Sequence, residues 1–314
     1  MSETIQAESQ TGKEAGCKRD SFIDDGKRMI QETLDRLGEQ LEHGLSGEMK
    51  NYLKIMAKFP RYSVGNQLLI FAQMPQASQV AGYRAWNQFH RYIKKGEKGI
   101  RIFAPCASRK PKKDFESDCS EEELKEESEL VTYFRVAHVF DLSQTSGEDL
   151  PQTSKAQGDA EKLIPILESL IRDRGIALEY GETGSALGLS YKNAIRIKPG
   201  MDPAETFSTM VHEATHVMLH FEGDSPAADR KTQELEADAA ACVVCERFGM
   251  QAITASADYI QTWDGNKKAL MQQLERIRQC AAAIIQGMEQ RMEVDSLESA
   301  TNSPGYGIQA TSVN

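Results

Sequence analysis

The sequence predicts an α+β protein of two domains, and three observations carry that reading. At 314 residues the chain is about two domains long, since typical domains run to roughly 100–200 residues. Runs with helical period and runs of alternating β-branched and aromatic residues occur on both sides of a polar stretch at 143–159, SQTSGEDLPQTSKAQGD, which reads as a linker by composition. Charge is also divided unevenly. From Lys50 to Lys113 the only acid is Glu97, although the whole chain carries a net charge of −10. The next sixteen residues, Asp114 to Glu129, then hold nine acids and one lysine. A basic segment inside an acidic protein points to separate tasks for separate parts.

Taken in order, the first element is an amphipathic helix from Ile23 to about Leu45, with Ile30, Leu34, Leu37 and Leu41 on one face. A second helix covers Glu48 to Lys58 and stops before Pro60. A third starts after Ser63, a good N-cap, and ends before Pro75. A short helix around Trp86 follows. RYIKKGEKGIRIFAP, punctuated by Gly96 and Gly99, reads as a hairpin with Ile100, Ile102 and Ala104 alternating on one strand. The acidic stretch 114–129 reads as an exposed loop, and LVTYFRVAHVFDLSQT as a strand. Past the linker come a helix over Ala160–Arg174, a strand over Ile176–Tyr180, a glycine-punctuated hairpin and a strand over Ala194–Ile197. Three helices complete the chain, beginning near Pro203, Lys231 and Asn266. The domain expectation is therefore a tail over 1–22, a first domain over 23–145, a linker over 146–159, a second domain over 160–295 and a tail over 296–314.

Composition excludes several classes. No apolar run approaches the roughly 18–20 residues that span a bilayer, and the N-terminus has no apolar signal core, so the expectation is a cytoplasmic protein. Six scattered cysteines are too few for a disulfide framework. Cys242 and Cys245 form a CxxC, but the surrounding AAACVVCERFGM is apolar and helical, which favours two small buried helix residues.

The chemistry concentrates in TFSTMVHEATHVMLH. His212 and His216 stand at i and i+4, so both imidazoles project from one helix face and can supply two corners of a tetrahedral zinc site. Glu213 is placed to act there as general base. Downstream, Glu234-Leu-Glu-Ala-Asp238 offers a third ligand. A carboxylate completes a His2Glu set with one open position, as catalytic zinc requires. Glu234 is preferred over Glu236, and Asp238, one turn on, can accept the N–H of a ligand histidine. His220 continues the row, about 12 Å along the helix from His212 at ~1.5 Å per residue. It lies too far to share the ion, and helix-end packing or a substrate-side contact fits it better.

The stretch Ala194–Phe248 resembles gluzincin-type peptidases with an HExxH…ExxAD arrangement, and among them the ImmA/IrrE-like group. That resemblance implies zinc ligands at His212, His216 and Glu234, catalysis by Glu213, and an edge strand at Ala194–Ile197 along which a peptide substrate lies extended.

The basic segment mixes its cations with Tyr52, Phe59, Tyr62, Phe71, Tyr83, Trp86, Phe89, Tyr92 and Phe103. Cations tracking phosphates beside aromatics that stack on bases is the physics of single-strand binding. An ordinary core under a solvated cationic face has the same composition, so the pattern alone leaves both open. YSVGNQLLIFAQMPQASQVAGYRAWNQFHRYIKKGEKGIRIFAP, continuing to VFDLSQT, is similar to the single-stranded-DNA-binding domain of ArdC-type antirestriction proteins and LtrC-type conjugation proteins, over about residues 23–145. Those families also carry a C-terminal zincin-like domain. Phe89-His90-Arg91 departs from their glycine and arginine, and the acidic run is a second departure. The resemblance implies roles in DNA binding for Tyr62, Asn66, Trp86, Arg91, Lys94, Lys95 and Lys98. Of these, Arg91 and the three lysines are expected on phosphate, Trp86 on a base or in the core, and Tyr62 and Asn66 mainly in holding the fold. It further implies protection of mobile DNA from restriction, with protein substrates bound to that DNA or belonging to a restriction system. A non-catalytic, DNA-protective protein with a structural zincin domain is the alternative.

Overall fold

The computed structural model describes residues 22–39, 47–110, 129–150, 158–221, 229–250 and 266–301. The fold is α+β, with helices and three small sheets. The chain divides into two compact units, residues 1–152 with 263–271, and 153–262 with 272–314. Of the expected tail 1–22 and the acidic stretch 114–129, residues 1–21 and 114–128 lie outside the described residues, as do 40–46 at the end of the first expected helix.

In the first unit, helix α1 covers residues 22–39 and buries Leu34 and Leu37. Helices α2 (Gly47–Lys58) and α3 (Val64–Gln73) pack together. Their shared core includes Tyr52, Ile55, Met56, Leu68, Leu69 and Ile70, all essentially inaccessible. Ser63 caps α3 by accepting the N–H of Asn66. After the two-residue strand β1 (Val80–Ala81) and the short helix α4 (Tyr83–Gln88) come β2 (Arg91–Ile93), β3 (Ile100–Lys110), β4 (Glu129–Asp141) and β5 (Thr145–Gly147).

The expected hairpin within 91–104 does not form. β3 pairs antiparallel with β4, from Ile100 opposite Val139 to Lys110 opposite Glu129, and β2 pairs with β5 instead. The turn at Lys94–Glu97, with Gly96 at φ 92°, redirects the chain without folding it back on itself. The β2–β5 pair also takes residues 145–147 out of the stretch read as linker. Gly147 is obligatory there. Its φ is 143°, and a Cβ would meet the His90 carbonyl oxygen at 2.2 Å.

β3 lies at the edge of the order β1-β4-β3. Its outer backbone is matched by amide side chains of α3. Asn66 donates to the Phe103 carbonyl at 2.9 Å and accepts its N–H at 2.8 Å, while Gln73 does the same for Arg101 at 2.9 and 3.0 Å. Two amides seven residues apart thus mimic a neighbouring strand and close an edge that would otherwise recruit another chain.

The second unit begins with helix α5 (Ala160–Asp173) and a three-stranded sheet of β6 (Ala177–Tyr180), β7 (Gly188–Tyr191) and β8 (Ala194–Ile197) in the order β6-β8-β7. β8 pairs parallel with β6 and antiparallel with β7. The expectation that Ala194–Ile197 is an edge strand is therefore corrected: both its sides are taken, and the edge on the β8–β7 side is β7. Helix α6 (Pro203–His216) is started by Asp202, which accepts the N–H of Ala204, and by Pro203 at its first position. It runs on into a π-helical turn at Val217–Phe221. Helix α7 (Arg230–Arg247) is capped by Asp229 and packs on α6. The last helix, α8 (Lys267–Thr301), extends beyond residue 296, where a tail was expected. No helix is long and apolar enough to cross a membrane among the described residues.

Candidate metal centre

Helices α6 and α7 bring the two halves of the motif together. His212 and His216 face α7, with Nε2 atoms 3.1 Å apart. Oε2 of Glu234 lies 3.4 Å from Nε2 of His212 and 3.5 Å from Nε2 of His216. These three atoms form the one group of donor side chains, among the described residues, close enough to hold a metal ion. Their separations give a fit test. A tetrahedral ion with bonds of about 2.0–2.1 Å has ligand–ligand edges of about 3.3–3.4 Å, and the three observed edges bracket that value. Two imidazole lone pairs and a carboxylate oxygen at such distances repel unless a proton or cation lies among them. The residues present fit a divalent cation.

Electrostatics describes the same crowding. Burial opposes charge on His212, but hydrogen bonds to Asp238 and Glu234 and the nearby carboxylates outweigh it and raise its pKa to about 9. Burial and the charge on His212 push His216 down to about 4. The hydrogen bond with His212 leads the causes that hold Glu234 down, to about 2. One proton on His212 thus serves a cluster that offers several lone pairs. Nδ1 of His212 is 2.9 Å from Oδ1 of Asp238, the contact that orients a ligand imidazole.

Glu213 is buried on the same face, and burial raises its pKa despite the His212 charge and a hydrogen bond with Ser190 of β7. The strand approaches closely. A Cβ on Gly188 would lie 2.6 Å from Cγ of Glu213 and 2.9 Å from the Thr209 methyl, so only glycine lets β7 come this near. β7 and the metal cluster line an open cavity of about 870 Å³, with Phe221, Arg230 and Gln233 among its other walls. That volume is within the usual range for ligand sites, roughly 300–1,000 Å³.

Glu236 turns away from this cluster. It is 1% exposed and accepts from His220, whose Nε2 is 3.0 Å away, and from Arg276 at 3.1 Å. Arg276 belongs to no local motif, and His220 showed only as the next member of an i+4 row. Cys245 is buried within α7, which pushes its thiol up to about 12.

In the first unit, the residues expected on DNA separate into two sets. Trp86 is 2% exposed and donates to the Phe140 carbonyl at 2.9 Å, so it is core. Asn66 is committed to β3, as above. Arg91 is 9% exposed, and its guanidinium donates to Thr145 Oγ1 at 2.8 Å, to the Thr145 carbonyl and to the Glu148 carbonyl. The expected phosphate contact of Arg91 is corrected accordingly: its donors hold the β2–β5 pair. Tyr62 is half-buried against Phe59 in an edge-to-face contact. Lys94, Lys95 and Lys98 are exposed, Lys94 with a hydrogen bond to the Ser143 carbonyl. Tyr83, Phe89 and Tyr92 are the large exposed aromatics of the same region.

Residues 27–140 match the family described as the N-terminal domain of anti-restriction factor ArdC. The chain is 25% identical over 285 residues to an uncharacterized protein of Bacillus anthracis, across 78% of this chain, and it spans about half (48%) of that relative. Its fold is similar to crystal structures of the antirestriction protein ArdC from plasmid R388. The metal-free form has a TM-score of 0.51 at 17% identity, covering 83% of this chain and 98% of that one. The Mn(II)-bound form has a TM-score of 0.51 at 19% identity, covering 82% and 97%. The chain thus resembles ArdC antirestriction proteins in its N-terminal sequence and in its fold.

Proposed function

We propose that this chain, whose N-terminal segment is similar to the ArdC N-terminal domain, is a cytoplasmic antirestriction factor that binds single-stranded DNA and hydrolyses peptide bonds in proteins associated with that DNA. The observation that carries the peptidase half is the position of Glu213. A buried carboxylate beside a His2Glu donor set, opening on a cavity with an edge strand in its wall, has no purpose in a purely structural metal site.

His212, His216 and Glu234 would hold the cation, and zinc suits two imidazoles and one carboxylate. Such an ion supplies Lewis acidity, polarising a carbonyl and acidifying water. Everything else falls to the protein's own groups. Burial keeps the Glu213 carboxyl more basic than an exposed one, so it can take the proton of the attacking water and hand it to the leaving nitrogen. Asp238 holds the His212 ring. Among the described residues β7 has a strand partner on one side only, so its other side suits an extended substrate main chain. Arg230, Phe221 and Gln233 would meet substrate side chains.

For DNA, the exposed Tyr83, Phe89 and Tyr92 suit base stacking, and Lys94, Lys95 and Lys98 suit phosphates. Similarity in fold to the antirestriction protein ArdC of plasmid R388 supports a role in protecting mobile DNA.

Glu213→Gln tests the reading. Cleavage of a protein bound to single-stranded DNA should fall about 10²–10⁴-fold, while the bound divalent cation is retained. Undiminished protection in that variant would favour a non-catalytic DNA-protective protein, and undiminished cleavage would remove Glu213 from the reaction.

A further inference from the structure

His216 has two ring nitrogens, and only Nε2 faces the donor cluster. Its Nδ1 lies 3.1 Å from Nδ1 of His220, with the rings tilted at 55°. His220 sits on the π-helical turn Val217–Phe221, a local widening of the helix of the kind that recurs at functional sites. Its Nε2 is 3.0 Å from Oε2 of Glu236, and that oxygen is 3.1 Å from Nη2 of Arg276. The same Nη2 donates to the Leu219 carbonyl in the π turn at 3.1 Å. The His220 and Glu236 side chains are 3% and 1% exposed.

We infer that His220, Glu236 and Arg276 form a directed chain of hydrogen bonds that fixes His216 as the Nδ1-protonated imidazole, with its Nε2 lone pair turned to the cation. The direction follows from what each group can do. A guanidinium only donates and a carboxylate only accepts, so the Arg276 contact keeps Glu236 as an acceptor. The proton on neutral His220 then belongs on Nε2, leaving its Nδ1 to accept. His216 must therefore donate from Nδ1, which leaves Nε2 bare. The reversed chain would put a proton on Nε2 of His216, 3.1 Å from Nε2 of His212, where it would exclude a metal. A carboxylate this deeply buried is heavily penalised by desolvation unless it is paired, and the pairing with both a guanidinium and an imidazole offsets that penalty. His220, Glu236 and Arg276 are positioning residues acting through His216.

The inference rests on the metal reading of His212, His216 and Glu234, and the experiment separates the two. Full-length wild type, His220→Leu, His220→Gln and Glu236→Gln are titrated with Co²⁺ against a competing chelator, with thermal unfolding recorded for each. Nitrogen-15 NMR of the loaded wild type reports the histidine tautomers. His220→Leu removes the acceptor and should weaken Co²⁺ binding about 10–100-fold, with a shifted visible spectrum. His220→Gln keeps an acceptor for His216 and a donor for Glu236, and should restore most of the affinity. Glu236→Gln should fall between them. His220 should carry its proton on Nε2. If His220→Leu does not fold, the His220 tautomer and Glu236→Gln decide the matter. A proton on Nδ1 of His220, or variants that bind Co²⁺ within twofold of wild type with unchanged spectra, would overturn the chain of bonds and leave the metal site standing. A wild type that takes up no Co²⁺ would overturn the metal reading and this inference with it.

Discussion

Each unit holds a cluster of polar groups around a carboxylate, and the two clusters are balanced in opposite ways. In the first, Asp141 is 2% exposed and receives five hydrogen bonds. Ser78 and Gln79 donate backbone N–H groups at 2.6 and 3.0 Å, the Ser78 hydroxyl donates at 3.2 Å, and Ser143 donates its N–H and hydroxyl at 2.9 and 2.6 Å. Its neighbour Gln144 returns a bond to the Asp141 N–H and reaches Glu97 and the Lys98 carbonyl. Lone pairs and protons match, so the corner is complete as folded. In the second unit, two imidazole nitrogens and a carboxylate oxygen converge with too few protons to satisfy them. A cluster that completes itself serves stability. One that converges on an unmet charge serves a ligand.

Four measurements bear on that contrast. The largest effect is expected for Glu234→Ala, which removes a convergent donor and should weaken divalent-cation binding roughly 1,000-fold or more, with a far smaller loss of metal-free stability, since the half-exposed Glu234 gives up only its pairing with His212. A comparable loss of metal-free stability would mean that this cluster too is complete without an ion. Asp141→Asn should do the reverse. It replaces a charged acceptor with a group that carries donors of its own, and should destabilise the N-terminal unit by about 2–3 kcal/mol, read from urea unfolding, with cation affinity unchanged.

Acid gives a third, smaller effect. Burial alone would raise the pKa of Asp141, but the Ser143 hydroxyl and the N–H groups of Ser78, Ser143 and Gln79 outweigh it and hold the carboxyl below its ordinary value. The stabilisation is therefore fully present above an unfolded aspartate pKa of about 3.9 and is lost as pH falls through the lower folded value. Wild-type unfolding free energy should drop between pH 4 and pH 2 by more than that of Asp141→Asn. The mildest effect concerns DNA. Replacing Lys94, Lys95 and Lys98 by alanine should reduce the slope of log affinity against log salt for single strands by about 0.7 per lost phosphate contact. An unchanged slope would make these lysines a solvated face and nothing more.

How much of this the sequence disclosed depends on the distance over which each feature is built. The His212–His216 pair and the Glu234–Asp238 pair are each one helical turn, so spacing alone orients them, and the charge asymmetry is visible by inspection. The partner of β3 is not local. Gly96 and Gly99 suggest a hairpin, but the strand that pairs lies beyond the acidic stretch, and two glycines cannot distinguish a fold-back from a redirected turn. The edge position of β7 depends on β6 reaching past it to pair with β8, an order that no spacing encodes. Trp86 and Arg91 look like nucleic-acid contacts by residue type, and only their partners, Phe140, Thr145 and Glu148, assign them to the interior. Glu236 and Arg276 are 40 residues apart in sequence, so their meeting at His220 had no local signature.

The central claim, that one cation is shared by His212, His216 and Glu234, is tested most directly by anomalous diffraction from crystals of the protein loaded with zinc. One strong peak is expected, with Nε2 of both histidines and a carboxylate oxygen of Glu234 at about 2.0–2.2 Å. A peak elsewhere, or Glu234 turned away with no other acid in its place, would contradict it.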